Sequence, residues 1–281
     1  MDITLHLDAH AHLYPFQDAG LLFESALRHM PRRAPADVRA LLLAERSDCH
    51  VFRDLAADEW APPAGWSVSA YDPEGAVRLH HAGDGKLLWL VAGRQHATAE
   101  RLEICSMFAD PEIPDGLPAE ETLRLVLETP GAVAGLNWAP GKWLGKRGKI
   151  VRKLLEGTAP ERLWLVDTSL RARGIPEPGV FAAARREGRP LLAGSDPLPV
   201  EGEERVAGCY FAKIPLTLGE AAGEEEDELD SPDSDALVVG PLKAALARRP
   251  LPEIRLAGER NGLLELAGRL RAHGKAGKRA R

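Results

Sequence analysis

Apolar residues recur along the chain in two rhythms. Runs of strand length occupy residues 3–7, 87–92, 102–107, 132–136, 163–166, 190–193, 206–214 and 253–256. Between them, apolar residues spaced three and four apart over 18–30, 35–45, 119–128, 149–155, 178–187, 241–248 and 258–272 predict helices. Proline or glycine stands near several helix ends, where each breaks the backbone pattern for a different reason. Residues 66–91 depart from this rhythm. Short strands there flank Gly83-Asp84-Gly85, which predicts an inserted β-hairpin. Strand-helix alternation over 281 residues predicts an α/β fold, a distorted (β/α) TIM-like barrel of seven or eight strands. A doubly wound open sheet is the runner-up, but no GxGxxG or GxxxxGK[ST] follows any predicted strand.

Composition narrows the class. A 44% hydrophobic, 28% charged chain of this length can bury a full core. No apolar run approaches the roughly 20 residues of a membrane-spanning helix. The opening MDITLHLDAH lacks the basic and apolar regions of a signal peptide, and Cys49, Cys105 and Cys209 form no CxxC or disulfide framework. A cytoplasmic location is the expectation. The net charge of -6 comes from nine acidic residues at 220–235, a stretch without a basic residue that predicts a disordered acidic loop at about 219–235. One domain over 1–273 and a basic flexible tail at 274–281 complete the expected organisation.

Candidate chemistry concentrates at predicted strand ends. Asp8, His10 and His12 are spaced by two, so a regular strand would put them on one face, where two imidazoles can share a divalent ion. His6 has the same phase but lies deeper, as a structural residue. The apolar run RPLLAG leads to Ser195-Asp196-Pro197, which places a carboxylate at the mouth of a barrel strand. His10 and His12 are therefore candidate metal ligands and Asp196 a candidate catalytic carboxylate. His50 and His96 are possible additions, and Glu103 could supply an oxygen.

DAHAH near the N-terminus together with the later GSD resembles the metal-dependent barrel hydrolases, the PHP (polymerase and histidinol phosphatase) family first and the amidohydrolases second. The resemblance spans roughly residues 3–200. It implies a hydrolase that activates water on metal held by His10, His12 and Asp196. Within VAGRQHATAERLEICSMF, Gln95 stands where the family has a bridging glutamate. In GAVAGLNWAPGKW, Ala139 replaces a histidine before Pro140, and Leu198 replaces the histidine that follows GSD by two. The departures imply one ion, zinc, manganese or iron, in place of a multinuclear cluster.

Further along, Trp138 to Lys149 packs Lys142, Lys146, Arg147 and Lys149 among three glycines, a phosphate-compatible loop. Lys142 and Arg147 are the predicted anion contacts. Asp167 ends another strand with Arg171 four residues later; Asp167 is the predicted catalytic base and Arg171 a further substrate contact. The expected activity is hydrolysis of a phosphoester on an anionic small molecule. Amide or lactone hydrolysis is the near alternative, and a degenerate barrel that binds an anionic ligand without turnover is the alternative of another class. Neither a membrane nor nucleic acid is an expected partner.

Overall fold

A computed structural model describes residues 1–218 and 238–279, so the acidic stretch at 219–235 lies outside the described residues. Among the described residues, twelve strands form two sheets. The first, of seven strands, has the order β12 (Arg255–Gly258), β11 (Tyr210–Thr217), β1 (Asp2–Ala11), β2 (Asp37–Leu43), β5 (Leu87–Val91), β4 (Ala76–His81), β3 (Trp66–Asp72). The second, of five, has the order β10 (Leu191–Gly194), β9 (Leu163–Thr168), β8 (Val133–Asn137), β7 (Glu103–Met107), β6 (Gly93–Ala97).

The barrel expected from the alternation is not formed. A TIM barrel requires every strand to be parallel to its neighbours, whereas β6, β7 and β8 pair antiparallel, as do β1 with β11 and the β3-β4-β5 meander. The sheets meet at two seams without a continuous ladder. At one seam an isolated parallel bridge joins Glu45 to Arg94, and at the other the Asp196 amide donates to the His10 carbonyl at 2.9 Å. Glycine marks both. A β-carbon on Gly93 would fall 2.2 Å from the Leu43 carbonyl oxygen, so the close approach excludes any side chain.

Three apolar clusters follow from strand alternation. Leu5, Leu7, Leu42, Val91, Met107, Trp164, Val166 and Leu192 fill the space between the sheets. The other face of the five-stranded sheet, with Ile104, Leu136, Leu163 and Leu165, packs against α3 (Ala119–Glu128), α4 (Gly145–Glu156) and α5 (Gly179–Arg186). On the seven-stranded sheet, Leu41, Leu43 and Leu90 pack against α1 (Ala19–His29) and α2 (Val51–Ala56). Helix α6 (Val239–Ala247) closes the inter-sheet core with Val239, Leu242 and Leu246. Helix α7 runs over Leu263–Arg279, through part of the segment that the sequence assigns to a tail.

One predicted helix, 35–45, is instead strand β2. Its leucines are buried on both faces, Leu42 toward the inter-sheet core and Leu41 and Leu43 toward α1, so the run carries no period-2 signature. Strand β6, absent from the sequence reading, follows β5 after a single residue. Among the described residues no helix is long and apolar enough to cross a membrane.

Candidate metal centre

A β-bulge in β1 creates the site. Residues 3, 5, 7 and 9 face the inter-sheet core, and regular alternation would carry His10 and His12 to the opposite side. Between Asp8 and Ala11 the pairing with β2 slips: three steps along β1 oppose two, from Leu41 to Leu43. The extra residue reverses the phase, as bulges do. Ala11 and Leu13 then join the α1 side, and His10 turns inward, its Nδ1 3.9 Å from the Cys105 Sγ. His6 and Asp8 are left on the other face, so the four polar residues of HLDAHAH do not share one phase.

The Nε2 atoms of His10 and His12 lie 3.1 Å apart, and each is 3.7 Å from the Asp196 Oδ1. All three side chains are buried, and among the described residues they form a group whose ligand atoms fall within 4.8 Å of one another. Burial drives the His10 imidazole down to about 3, with the Lys142 charge acting the same way and a hydrogen bond with Asn137 opposing. His12 is held well below the ordinary histidine value, by burial first and the His10 charge second. Both rings are therefore neutral near pH 7, with nitrogen lone pairs available to a cation. Burial also pushes Asp196 up to about 6, against Arg269, Lys142 and a hydrogen bond from Thr168.

This donor set fits a divalent ion. Ligand atoms about 2.0–2.2 Å from a common tetrahedral centre stand about 3.3–3.6 Å from one another, between the observed 3.1 Å and 3.7 Å spacings. The His12 ring is held from behind by Tyr14, stacked at 5.3 Å and 16°.

Asp8, next to these candidate ligands in sequence, does different work. Its Oδ1 accepts from the amides of Ser195 (2.9 Å) and His10 (3.2 Å), and its Oδ2 accepts from the Ser195 hydroxyl (2.5 Å) and the Gly208 amide (2.8 Å). The carboxylate thus ties the GSD loop to β1, and its lone pairs are in use.

Of the other expected residues, Lys142 acts on the centre through its charge, which bears on His10, His12 and Asp196. Its ammonium pairs with Glu103. Burial pushes the Glu103 carboxyl up, opposed by Lys142. Arg147 turns back onto its own loop, donating to the Gly141 carbonyl at 2.8 Å. Asp167 shares the parity of Leu163 and Leu165, on the helix-covered face, whereas Thr168 shares that of Trp164 and Val166. Both Asp167 oxygens accept from Arg171, at 2.8 and 2.5 Å, and Oδ2 accepts also from the Tyr210 hydroxyl at 2.9 Å.

His50 and His96 are engaged elsewhere. His50 contacts Arg94 at 2.9 Å, and His96 lies between the Ile113 carbonyl and the Ser106 hydroxyl. Ala139 and Leu198 are buried and offer no ligand atom. Asn137, which the sequence reading passed over, sits at the end of β8 and donates to the Cys105 Sγ at 2.9 Å; a polar residue closing an apolar strand was its available signal. Among the described residues, the Gln95 Oε1 is buried without a hydrogen-bond partner.

No protein-family model matches the chain, and no curated protein matches it. Among solved structures it is similar to PsfC from Pseudomonas syringae PB-5123, at 13% identity and TM-score 0.54, over 98% of this chain and 99% of that one. That likeness shows a shared fold. The lesion-specific endonuclease PfuEndoQ from Pyrococcus furiosus aligns at 12% identity and TM-score 0.49, over 92% of this chain and 59% of that chain.

Proposed function

We propose that this chain is a metal-dependent hydrolase that acts on a phosphoester of an anionic small molecule, with one divalent ion held by His10, His12 and Asp196. The observation that carries this reading is the convergence of two neutral imidazole nitrogens and a carboxylate oxygen in a buried cluster. Two imidazoles and one carboxylate suit zinc, manganese or iron. Such an ion supplies Lewis acidity, which polarises a phosphoryl oxygen and acidifies water.

The chain's own groups would do the rest. Asp8 and Ser195 hold the ligand loop against β1. Lys142, steadied by Glu103, offers its remaining N-H groups to a phosphoryl oxygen. Arg147 adds positive potential from the first turn of α4. Asp167 and Arg171 satisfy each other on the helix-covered face, and we assign them to holding the fold.

Ala139 and Leu198, apolar where the family resemblance places histidines, favour a second reading: an anionic-ligand binder without turnover. Loading the protein with zinc, manganese or iron(II) and assaying phosphomonoesters, phosphodiesters, lactones and amides separates the readings. Phosphoester hydrolysis that is lost in Asp196→Asn is the expected result. Tight phosphate binding with no turnover supports the binder, and turnover of lactones or amides alone points to the amidohydrolase type.

A further inference from the structure

We propose that Arg269, on helix α7, is a positioning residue of the metal centre, holding Asp196 in the backbone conformation that aims its carboxylate at His10 and His12; this rests on the reading of those three residues as a metal site. Asp196 has φ 52°, in the left-handed region that non-glycine residues adopt at a cost. Such a conformation persists only where its surroundings over-determine it. Both backbone groups of Asp196 are fixed: its amide donates to the His10 carbonyl at 2.9 Å, and its carbonyl accepts from the Arg269 Nη2 at 2.9 Å.

The guanidinium is itself locked. Arg269 Nε donates to both Glu203 oxygens, at 2.8 and 3.0 Å, and Nη2 donates to Glu203 Oε2 at 2.5 Å. Its Nη1 donates to the Ser169 hydroxyl at 3.1 Å, and that hydroxyl donates to the Ser195 carbonyl at 2.5 Å. Glu203 Oε2 accepts from the Leu198 amide at 2.9 Å. One buried ion pair therefore grips the loop at Ser195, Asp196 and Leu198 together. The planar five-donor fork of arginine is what permits this; a lysine ammonium cannot span the same acceptors in fixed directions.

Glu203 compensates the Arg269 charge at short range, and both side chains are buried. Ion pairs of this kind recover little net stability over apolar replacements, because desolvating both charges offsets their attraction. Stability and ligand positioning can then be separated by experiment. Zinc binding would be measured by competition titration on chelator-stripped wild type, Arg269→Met/Glu203→Leu and Arg269→Lys, with the melting temperature of each metal-free protein and the cobalt(II) absorption spectrum of each loaded one. The double variant should stay folded but melt below wild type, because the Leu198 amide, the Asp196 carbonyl and the Ser169 hydroxyl each lose a partner, bind zinc about tenfold to a hundredfold more weakly, and show an altered cobalt spectrum. Arg269→Lys, which keeps the charge and guards against a folding failure of the double variant, should not restore the affinity. Wild-type zinc affinity and an unchanged cobalt spectrum in folded variants would overturn the role of Arg269 and leave the metal site standing. A wild-type protein that takes up no metal would overturn the site itself and this inference with it.

Discussion

A β-carbon on Gly194 would lie 2.5 Å from the Cβ of His10 and 2.7 Å from its backbone nitrogen. The two residues face each other across the seam between the sheets, and the atoms in the way are mostly backbone, which cannot rotate aside. Gly194→Ala should therefore push His10 out of line with His12. We expect a loss of about 1–3 kcal/mol in stability, the usual cost of overpacking, together with reduced metal content. Urea denaturation and elemental analysis of the same preparation check both; an unperturbed metal content would mean that the seam opens without moving the ligand.

Arg171→Met leaves the Asp167 carboxylate buried with Tyr210 as its remaining side-chain partner. Removing one member of a buried pair typically costs about 3–5 kcal/mol. Metal content should not change, because Asp167 shares the strand face of Leu163 and Leu165 and not the inter-sheet face. A variant of normal stability that fails to bind or turn over an anionic substrate would return Asp167 and Arg171 to the site.

Lys142→Met should weaken binding of inorganic phosphate to the metal-loaded protein by about tenfold to a hundredfold, the range for a charged hydrogen bond of 1.5–3 kcal/mol. Arg147→Met should have a much smaller effect that fades at high salt, since its guanidinium is spent on the Gly141 carbonyl. Equal effects of the two substitutions would contradict this ranking.

Burial lowers the pKa of His96 to about 4. The folded state keeps this ring neutral while the unfolded chain protonates it near 6.5, so stability is present above that value and is lost as pH falls toward 4. The shift corresponds to about 3 kcal/mol between those limits. His96→Gln should flatten the dependence of unfolding free energy on pH in this window. An unchanged slope would show that other groups, such as His6, also lowered to about 4 by burial, carry the effect.

Much of the candidate cluster of His10, His12 and Asp196 was legible because its signals are local. His-x-His at a strand end and a carboxylate after a short apolar strand need only period-2 geometry to be noticed. The barrel was not legible, since strand-helix alternation does not reveal that β6, β7 and β8 run antiparallel. Nor does HLDAHAH announce a bulge: only the slipped pairing against Leu41 and Leu43 shows that His6 and Asp8 face away from His10 and His12. For Asp167 the strand parity is legible in the sequence. Its parity with Leu163 and Leu165, residues that pack on helices, opposes a place in the site. Arg269 and Glu203 pair across 66 residues, with no motif linking them.

The central claim is that His10, His12 and Asp196 hold one divalent ion. Its most direct test is elemental analysis, after purification without chelator, of the wild type and of His10→Ala/His12→Ala, with circular dichroism to confirm that both are folded. About one equivalent of zinc, manganese or iron in the wild type and none in the folded double variant is the predicted result. Equal metal content in the two proteins, or none in either, would contradict it.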